Sequence, residues 1–251
     1  MRIAIAPELL TAYLLALARS SAWVFIAPPF GNKLVPNQVK IGFAAALALV
    51  MGPTLRGSVP DFDTAPFIGA VVAQVAAGAA LGYLGVLIFN AIQGAGSLID
   101  LFGGYTAAQL FDPMSNAGAS VFGRLYSMVG MTVLFAINGH LLIVRGLLTS
   151  FRAAPLTSLS LDAMRTTVMT GSGRFLLSAV EIAAPLLAAL FLAEIGLGLL
   201  SRAAPQLNVI MLGMPLKALI TITLGGVALP LIPDATRSLV TMIVHAGQSI
   251  T

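Results

Sequence analysis

Cysteine is missing from the 251-residue sequence, and histidine occurs only twice. The missing thiols exclude disulfide bonds and thiolate metal sites, and two histidines far apart in sequence are too few to build a metal cage. The HExxH helix of metalloproteases and the GxSxG turn of hydrolases are absent as well, as is any nucleotide-binding motif. The sequence therefore predicts a protein that is not an enzyme and that binds no cofactor.

Charged residues are also scarce, at 9% of the chain, where soluble domains carry about 25%. Apolar residues make up 58% of the sequence, and its mean hydropathy is +0.98. A soluble domain of this length cannot bury that much apolar surface, so the sequence predicts an integral membrane protein in contact with lipid. Long runs of alanine, leucine, valine, isoleucine and glycine favour α-helices over barrel strands, which alternate between polar and apolar residues.

Thirteen lysines and arginines remain as candidates for a binding surface. They give a sequence pI near 9.9, which by itself would fit a nucleic-acid partner. They are scattered, however, and do not cluster in segments rich in aromatic residues. We interpret them as helix ends that face water or lipid headgroups, and we expect no nucleic-acid partner.

Six apolar segments of uneven length follow one another along the chain. As helices, Ile41–Met51 would cover about 17 Å and Pro66–Ile99 about 50 Å, against a hydrocarbon core of about 30 Å. The first should therefore not cross a bilayer alone, and the second should overshoot it unless it is tilted or broken. Such mismatches are tolerated where protein partners cover a helix. The segments are Leu9–Ala27, Ile41–Met51, Pro66–Ile99, Leu125–Val144, Phe175–Leu200 and Leu207–Ile232.

The first segment imitates a secretory signal, because a short apolar run leads to the small residues Ala16 and Ala18. Apolar character resumes at once over Trp23–Ile26. We therefore interpret Leu9–Ala27 as one element that ends at Pro28 and Pro29, although processing of the N-terminus stays open.

Small residues recur along Pro66–Ile99 at spacings near one helical turn. Gly78 and Gly82 match the GxxxG pattern, which lets helix backbones approach closely in membranes. We expect this face to pack against another helix, although 25 glycines also make chance matches common. The residues concerned are Gly69, Ala73, Gly78, Gly82 and Gly85.

Five charged residues lie inside apolar segments, where each costs roughly 2.5 to 3.5 kcal/mol at a helix centre unless it finds a partner or water. Glu194 lies eleven residues before Pro205 and Lys217 twelve residues after it. In a helical hairpin both would lie about 17 Å from the turn, so we expect them to form an ion pair. The alternative is that each side chain reaches water separately. The five residues are Arg19, Asp100, Glu181, Glu194 and Lys217.

Four blocks of the sequence occur together, in order, in one known family. The most specific is the Arg-Ala-Ala-Pro-Gln-Leu-Asn-Val run with the Pro-Leu-Lys after it, within Glu181–Lys217. The others are PPFGNKLVPNQVKIGFAAALALVMGP from Pro28, QLFDPMSNAGAS from Gln109 and LFAINGHLLIVRGLLTSFRAAP ending at Pro155. Over nearly its whole length the chain thus resembles the FliR family, the export-gate subunits of flagellar type III secretion systems, with SctT-type relatives in virulence injectisomes. One departure is Ile210, where the family usually has phenylalanine.

The resemblance implies an all-α fold of membrane-associated helical hairpins within a single export-gate subunit, residues 1–251. Residues 1–174 would form a FliP-like region and residues 175–251 a FliQ-like hairpin. One copy would join FliP and FliQ subunits in a gate where FlhB docks, and the gate would pass unfolded flagellar proteins across the bacterial inner membrane at the flagellar basal body. Flagellar rather than injectisome membership rests on overall likeness, without a diagnostic residue.

The resemblance also implies that a loop plugs the resting channel, and residues 109–120 match that loop. A channel wide enough for an unfolded chain would leak ions, and hydrophobic constrictions block ions by excluding water. Three residues of the segment are large and apolar, one of them a methionine that conforms to varied substrates, and an Asp-Pro pair predicts a turn. The alternative is an ordinary connector. The expected plug residues are Leu110, Phe111, Asp112, Pro113 and Met114.

The turn between the two C-terminal segments is polar. Arg202 and Gln206 can satisfy open backbone groups where two helices stop. The resemblance implies that this tip contacts neighbouring subunits rather than substrate. Its residues are Arg202, Pro205, Gln206 and Asn208.

A stand-alone secondary transporter of a small solute is the alternative function. Glu181, Glu194 and Lys217 would then be coupling groups near the membrane midplane. Inverted repeats, which such transporters often contain, are not detectable in the sequence. Purification separates the two hypotheses, because a gate subunit should co-purify with FliP and FliQ whereas a transporter should be stable by itself.

Overall fold

The computed structural model describes residues 7–58, 64–107, 120–154, 156, 161–206 and 208–248. Within these ranges every regular element is helical, which confirms the all-α prediction. Short 3₁₀ turns, Gly52–Ser58 and Tyr105–Ala107, follow the second and third helices. The α-helices are α1 Pro7–Ile26, α2 Asn37–Met51, α3 Thr64–Gly103, α4 Val121–Ala136, α5 Gly139–Ala153, α6 Leu161–Ala203, α7 Val209–Ala228 and α8 Leu231–Gln248.

Four helical stretches of the described chain are long and apolar enough to cross a membrane, and two bent pairs raise this number to six. One of these four stretches is Asn37–Leu55, which corrects the expectation that the segment at Ile41–Met51 is too short to cross a bilayer. Helix α2 begins at Asn37, and its turns continue to Leu55, which gives 19 residues. The sequence-based boundary is wrong because the helix includes Lys40, a charge that bounds the apolar segment in the sequence.

Lys40 is in fact buried within α2. Its ammonium group donates to the carbonyl oxygen of Gly31 at 3.1 Å and lies 5.5 Å from the centre of the Phe25 ring. A carbonyl and an aromatic face both stabilise a cation, so the charge does not terminate the helix.

The segment predicted over Pro66–Ile99 forms one helix, α3, with 40 residues, and α6 has 43. At 1.5 Å per residue, 40 residues amount to about 60 Å of helix, twice the hydrocarbon thickness of about 30 Å. Each of these helices is therefore longer than a bilayer requires, as the sequence predicted for α3.

Two other predicted segments are each divided into two helices, which corrects the expectation that each forms one continuous helix. Leu125–Val144 divides at Asn138, which adopts a left-handed backbone conformation with φ of 55° and ends α4 before Gly139 starts α5. Asparagine tolerates this conformation better than most residues, because its short side chain bonds locally. Leu207–Ile232 divides near Pro230, which has no amide hydrogen to donate to Gly226 and so ends α7.

The chain packs as two compact units. The first contains residues 1–88, 138–173 and 238–251. In it α1 and α3 approach closely, since a Cβ on Gly78 would lie 2.2 Å from the Arg19 carbonyl oxygen and one on Gly82 would lie 2.9 Å from Cβ of Ile26. The GxxxG prediction is confirmed at these two glycines. At Gly69 an added Cβ would meet nothing within 4 Å in the described part of the chain, so the structure shows no close helix contact there.

The second unit contains residues 89–137 and 174–237. Small residues again permit close packing, here between the last part of α3 and α4. A Cβ on Gly96 would lie 2.4 Å from the carbonyl oxygen of Phe122, and one on Gly130 would lie 2.9 Å from Cδ1 of Ile92. This unit contains the predicted charge pair and hairpin tip.

Candidate functional site

The hairpin of α6 and α7 brings the two predicted partner charges together. Nζ of Lys217 lies 2.6 Å from Oε2 of Glu194, which is hydrogen-bonding distance. The Lys217 side chain is 19% exposed and that of Glu194 is 60% exposed. The pair therefore lies at the edge of the hairpin, where each charge offsets the cost of placing the other on an apolar helix.

The tip of the same hairpin is short and exposed. α6 ends with the amide of Ala204 donating to the carbonyl oxygen of Leu200 at 2.8 Å. α7 begins with the side-chain oxygen of Asn208 accepting from the Met211 amide at 3.2 Å, a standard N-cap. Asn208 thus caps the hairpin, whereas Arg202 and Gln206 make no hydrogen bond to the helix ends within the described residues.

All four tip residues are exposed. Arg202 and Gln206 also have polar side-chain groups that make no hydrogen bond in the described part of the chain. Such a surface can bond to another protein without breaking contacts inside this one. Its role in assembly stays a prediction.

The predicted plug residues, Leu110 to Met114, lie outside the described residues, which stop at Ala107 and resume at Ser120. The flanks are described. α3 ends at Gly103, and Gly104 turns the chain with a positive φ of 83°. Glycine suits this position because it has no Cβ to clash in the left-handed region.

Asp100, in the last turn of α3, joins these two flanks. Its carboxylate accepts from the Ser120 hydroxyl and, at 3.1 Å, from the Phe122 amide. The Ser120 hydroxyl oxygen in turn accepts from the Gly123 amide at 2.8 Å. Asp100 is only 1% exposed. A carboxylate at the N-terminus of α4 satisfies open amides and interacts favourably with the helix dipole, so it fixes the start of α4 beside the end of α3. We call this contact of Asp100 with Ser120 and Phe122 the Asp100 junction.

Tyr105 strengthens this junction. Its ring meets that of Phe122 edge-on at 5.5 Å, and its hydroxyl donates to the carbonyl oxygen of Ala218 at 3.4 Å. Burial, and secondly the charge of Asp100, raise the pKa of the Tyr105 phenol above its usual 10.0. The phenol therefore keeps its proton at neutral pH and remains a donor.

Replacing Asp100 with alanine should destabilise this junction. The change leaves the Ser120 hydroxyl and the Phe122 amide without an acceptor, which costs about 1–3 kcal/mol for each unsatisfied group. Thermal unfolding of the purified protein should show a lowered midpoint for Asp100→Ala and a smaller decrease for Asp100→Asn, which keeps one acceptor. Asp234→Ala is the control, because that carboxylate is 83% exposed. Equal midpoints for Asp100→Ala and the control would contradict the anchoring role.

Arg19 is a further buried charge that finds partners, and it belongs to the first unit. Its side chain is fully buried and donates to Gln74 Oε1 at 2.7 Å, to the Ser150 carbonyl oxygen at 3.0 Å and to the Ala154 carbonyl oxygen at 2.9 Å. The guanidinium also lies 4.4 Å from the centre of the Phe151 ring. Arg19 thus joins α1 to α3 and places a positive charge at the C-terminal end of α5, where it is favourable.

The chain matches the family described as bacterial export proteins, family 1, over residues 10–243. It is 31% identical to the flagellar biosynthetic protein FliR of Escherichia coli K12 over 225 residues, covering 89% of this chain and 86% of that protein. FliR of Bacillus subtilis 168 is 26% identical over 247 residues, covering 97% and 95%. Yop proteins translocation protein T of Yersinia pestis is 31% identical over 216 residues, covering 84% and 83%. These similarities confirm the resemblance that the sequence blocks indicated.

Proposed function

Since this chain belongs to the bacterial export proteins, family 1, we propose that it is the FliR-type subunit of a flagellar type III secretion export gate. The observation that carries the proposal is likeness over nearly the full length, with 31% identity across 89% of the chain to a flagellar FliR protein. The match to a Yop translocation protein supports the broader assignment to type III export. The several FliR relatives favour the flagellar form.

In this proposal the chain joins FliP and FliQ in a hetero-oligomeric gate, FlhB docks beside it, and unfolded flagellar proteins pass through the bacterial inner membrane. Exposed apolar surface supports such partners. Only 28% of the most apolar window of α6 is buried within the chain, against 50% for α3. Large apolar side chains of α6 that need a cover include Leu177, Phe191, Leu192 and Leu199.

We assign residues 1–174 to a FliP-like region and residues 175–251 to a FliQ-like hairpin. The Glu194–Lys217 pair supports the second part, because it links the two arms of that hairpin. The compact units follow a different division, because residues 89–137 pack with residues 174–237 and residues 238–251 pack with the first unit.

Residues 109–120 act in this proposal as the apolar plug of the resting channel, with Leu110, Phe111 and Met114 excluding water. The Asp100 junction supports the assignment at the C-terminal end of the segment. It holds Ser120 and Phe122 beside the end of α3, so the two flanks of the segment share one anchor. A plug needs such an anchor, because a stopper must return to the same position after each passage.

The hairpin tip, with Arg202, Pro205, Gln206 and Asn208, serves as an assembly contact in this proposal. Exposure of all four residues supports that role. Asn208 also shapes the turn through its cap on α7.

Secretion measured in a host that lacks this chain tests the proposed function. Flagellar proteins should stop appearing outside the cells, and expression of the wild-type chain should restore them. Uptake of small solutes should stay unchanged throughout. Normal secretion without the chain, or a solute-uptake defect with normal secretion, would contradict the proposal and favour the transporter.

Reversal of the hairpin charges gives a second prediction. Glu194→Lys and Lys217→Glu each place like charges side by side, so each should lower the amount of assembled gate recovered from membranes. The double variant restores an opposite pair and should restore assembly. Arg237 and Asp234 form the matched control, because their pair is 3.8 Å apart and highly exposed, and reversing one of them should have little effect. Failure of the double Glu194→Lys, Lys217→Glu variant to recover would show that the pair does not stabilise the hairpin.

A further inference from the structure

The outer side of α6 carries a continuous apolar stripe that one carboxylate interrupts. The buried side of this part of the helix consists of Ala179, Ile182, Ala183, Leu186 and Leu190. With 3.6 residues per turn, the opposite side carries a different set, and every member of it is exposed. These residues are Leu177, Glu181, Ala184, Ala188, Leu192, Ile195 and Leu199, and we call them the Glu181 face.

Glu181 presents two hydrogen-bond acceptors on this face without a donor. Within the part of the chain that the structure describes, its carboxylate makes no hydrogen bond or ion pair, and Arg174 on the same side of α6 does not bond to it. Its backbone carbonyl is also short of a partner, because Pro185 stands four residues later in the helix and has no amide hydrogen. The apolar surface therefore carries a carboxylate at Glu181, and toward the C-terminus of α6 from it a carbonyl group lacks its usual amide partner.

Neither lipid nor water suits the whole of this face. Lipid would leave a charge and an open carbonyl in an apolar environment, which is costly at membrane depth. Water would satisfy both acceptors but would be in contact with Leu177, Leu192, Ile195 and Leu199, which are 45–68% exposed. Another protein can donate hydrogen bonds to the polar groups and can also cover the apolar side chains. Ala184 and Ala188, one turn apart beside Glu181, would let the backbone of a partner helix come close.

We propose that the Glu181 face docks an apolar helix of a partner subunit that brings an arginine or lysine side chain to Glu181. The cation would donate to the Glu181 carboxylate, while apolar residues around it cover the leucines. The inference rests on the proposed function, since the partner is another subunit of the export gate. It adds the chemistry by which that subunit recognises α6.

A single cysteine at position 184 can test the contact, because the chain has no cysteine of its own. Ala184→Cys would be labelled with a maleimide benzophenone, which reacts on illumination with protein or with lipid chains. In membranes that contain the complete export apparatus, we expect an adduct with another gate subunit, mapped to an apolar helix that carries arginine or lysine. Glu181→Gln should lower the adduct yield at least about tenfold, since it removes a charge-assisted bond.

Two further variants make the test specific. Asp162→Asn removes an exposed carboxylate from the same helix, outside the Glu181 face, and should leave the yield unchanged. Glu181→Arg should abolish the adduct, and exchange of the mapped partner cation for glutamate should restore it.

Three results would overturn the inference. They are adducts with lipid alone, labelling of Ala184→Cys by a water-soluble maleimide in the assembled gate, and a yield that Glu181→Gln does not change. Each can occur while the wild-type chain still supports secretion of flagellar proteins, and the proposed function would then stand without this contact. Loss of the proposed function itself would appear first as normal secretion in cells that lack the chain.

Discussion

Deletion of residues 110–116 should leave the gate assembled but permeable to small ions at rest. The deletion removes the three large apolar side chains, Leu110, Phe111 and Met114, that exclude water from the proposed constriction. A hydrated channel wide enough for an unfolded polypeptide offers ions no remaining barrier. Conductance of the purified gate in planar bilayers would measure the effect, with recovery of the intact complex as the check on assembly.

Two variants of unchanged length separate plugging from a general disturbance of the segment. Replacement of Leu110, Phe111 and Met114 together by serine keeps the chain length and should also give a leak. Ser115→Ala leaves the apolar residues in place and should keep the channel closed. An assembled deletion variant with the resting conductance of the wild type would rule out the plug.

Arg19→Leu should prevent recovery of folded protein. The change leaves Gln74 Oε1 and the carbonyl oxygens of Ser150 and Ala154 buried without their donor. Hydrogen bonds to a charged group contribute about 1.5–3 kcal/mol each, so the loss is on the order of 5 kcal/mol. That is comparable with the total stability of many domains, about 5–15 kcal/mol.

Arg19→Lys should be intermediate, because a single ammonium group cannot reach three acceptors on different sides. Arg152→Leu is the matched control. It removes an exposed arginine from the last turn of α5 and should behave nearly as the wild type. The yield of detergent-extracted complex and its thermal midpoint would be compared for all three variants. Equal stability of Arg19→Leu and Arg152→Leu would contradict the role of Arg19 in holding the first unit.

Hydropathy alone was sufficient to predict the all-α fold and the unusual length of α3. It could not detect the break at Asn138, because a left-handed residue inside an apolar run changes the backbone and not the hydropathy. It also placed the start of α2 too late. A lysine beside an apolar run indicates a solvated helix end, whereas the charge of Lys40 is satisfied inside the protein by the Gly31 carbonyl group.

The candidate site was predictable where its partners are close in sequence. Glu194 and Lys217 flank one turn at equal distances, so helix geometry alone placed them together. The partners of Arg19 and Asp100 were not predicted. Arg19 bonds to Ser150, 131 residues away, and no spacing rule covers such a separation. For Asp100 a local signal existed, since Ser120 directly before an apolar helix is a typical N-cap that a buried carboxylate can join.

Affinity purification of the full-length chain from membranes of its host, in mild detergent, tests the central claim that other subunits of the gate cover its apolar helices. FliP and FliQ should elute with the chain in a fixed ratio, and the chain should not be recovered as a stable species without them. Recovery of a stable monomer, covered by lipid and containing a pocket for a small solute, would contradict the account.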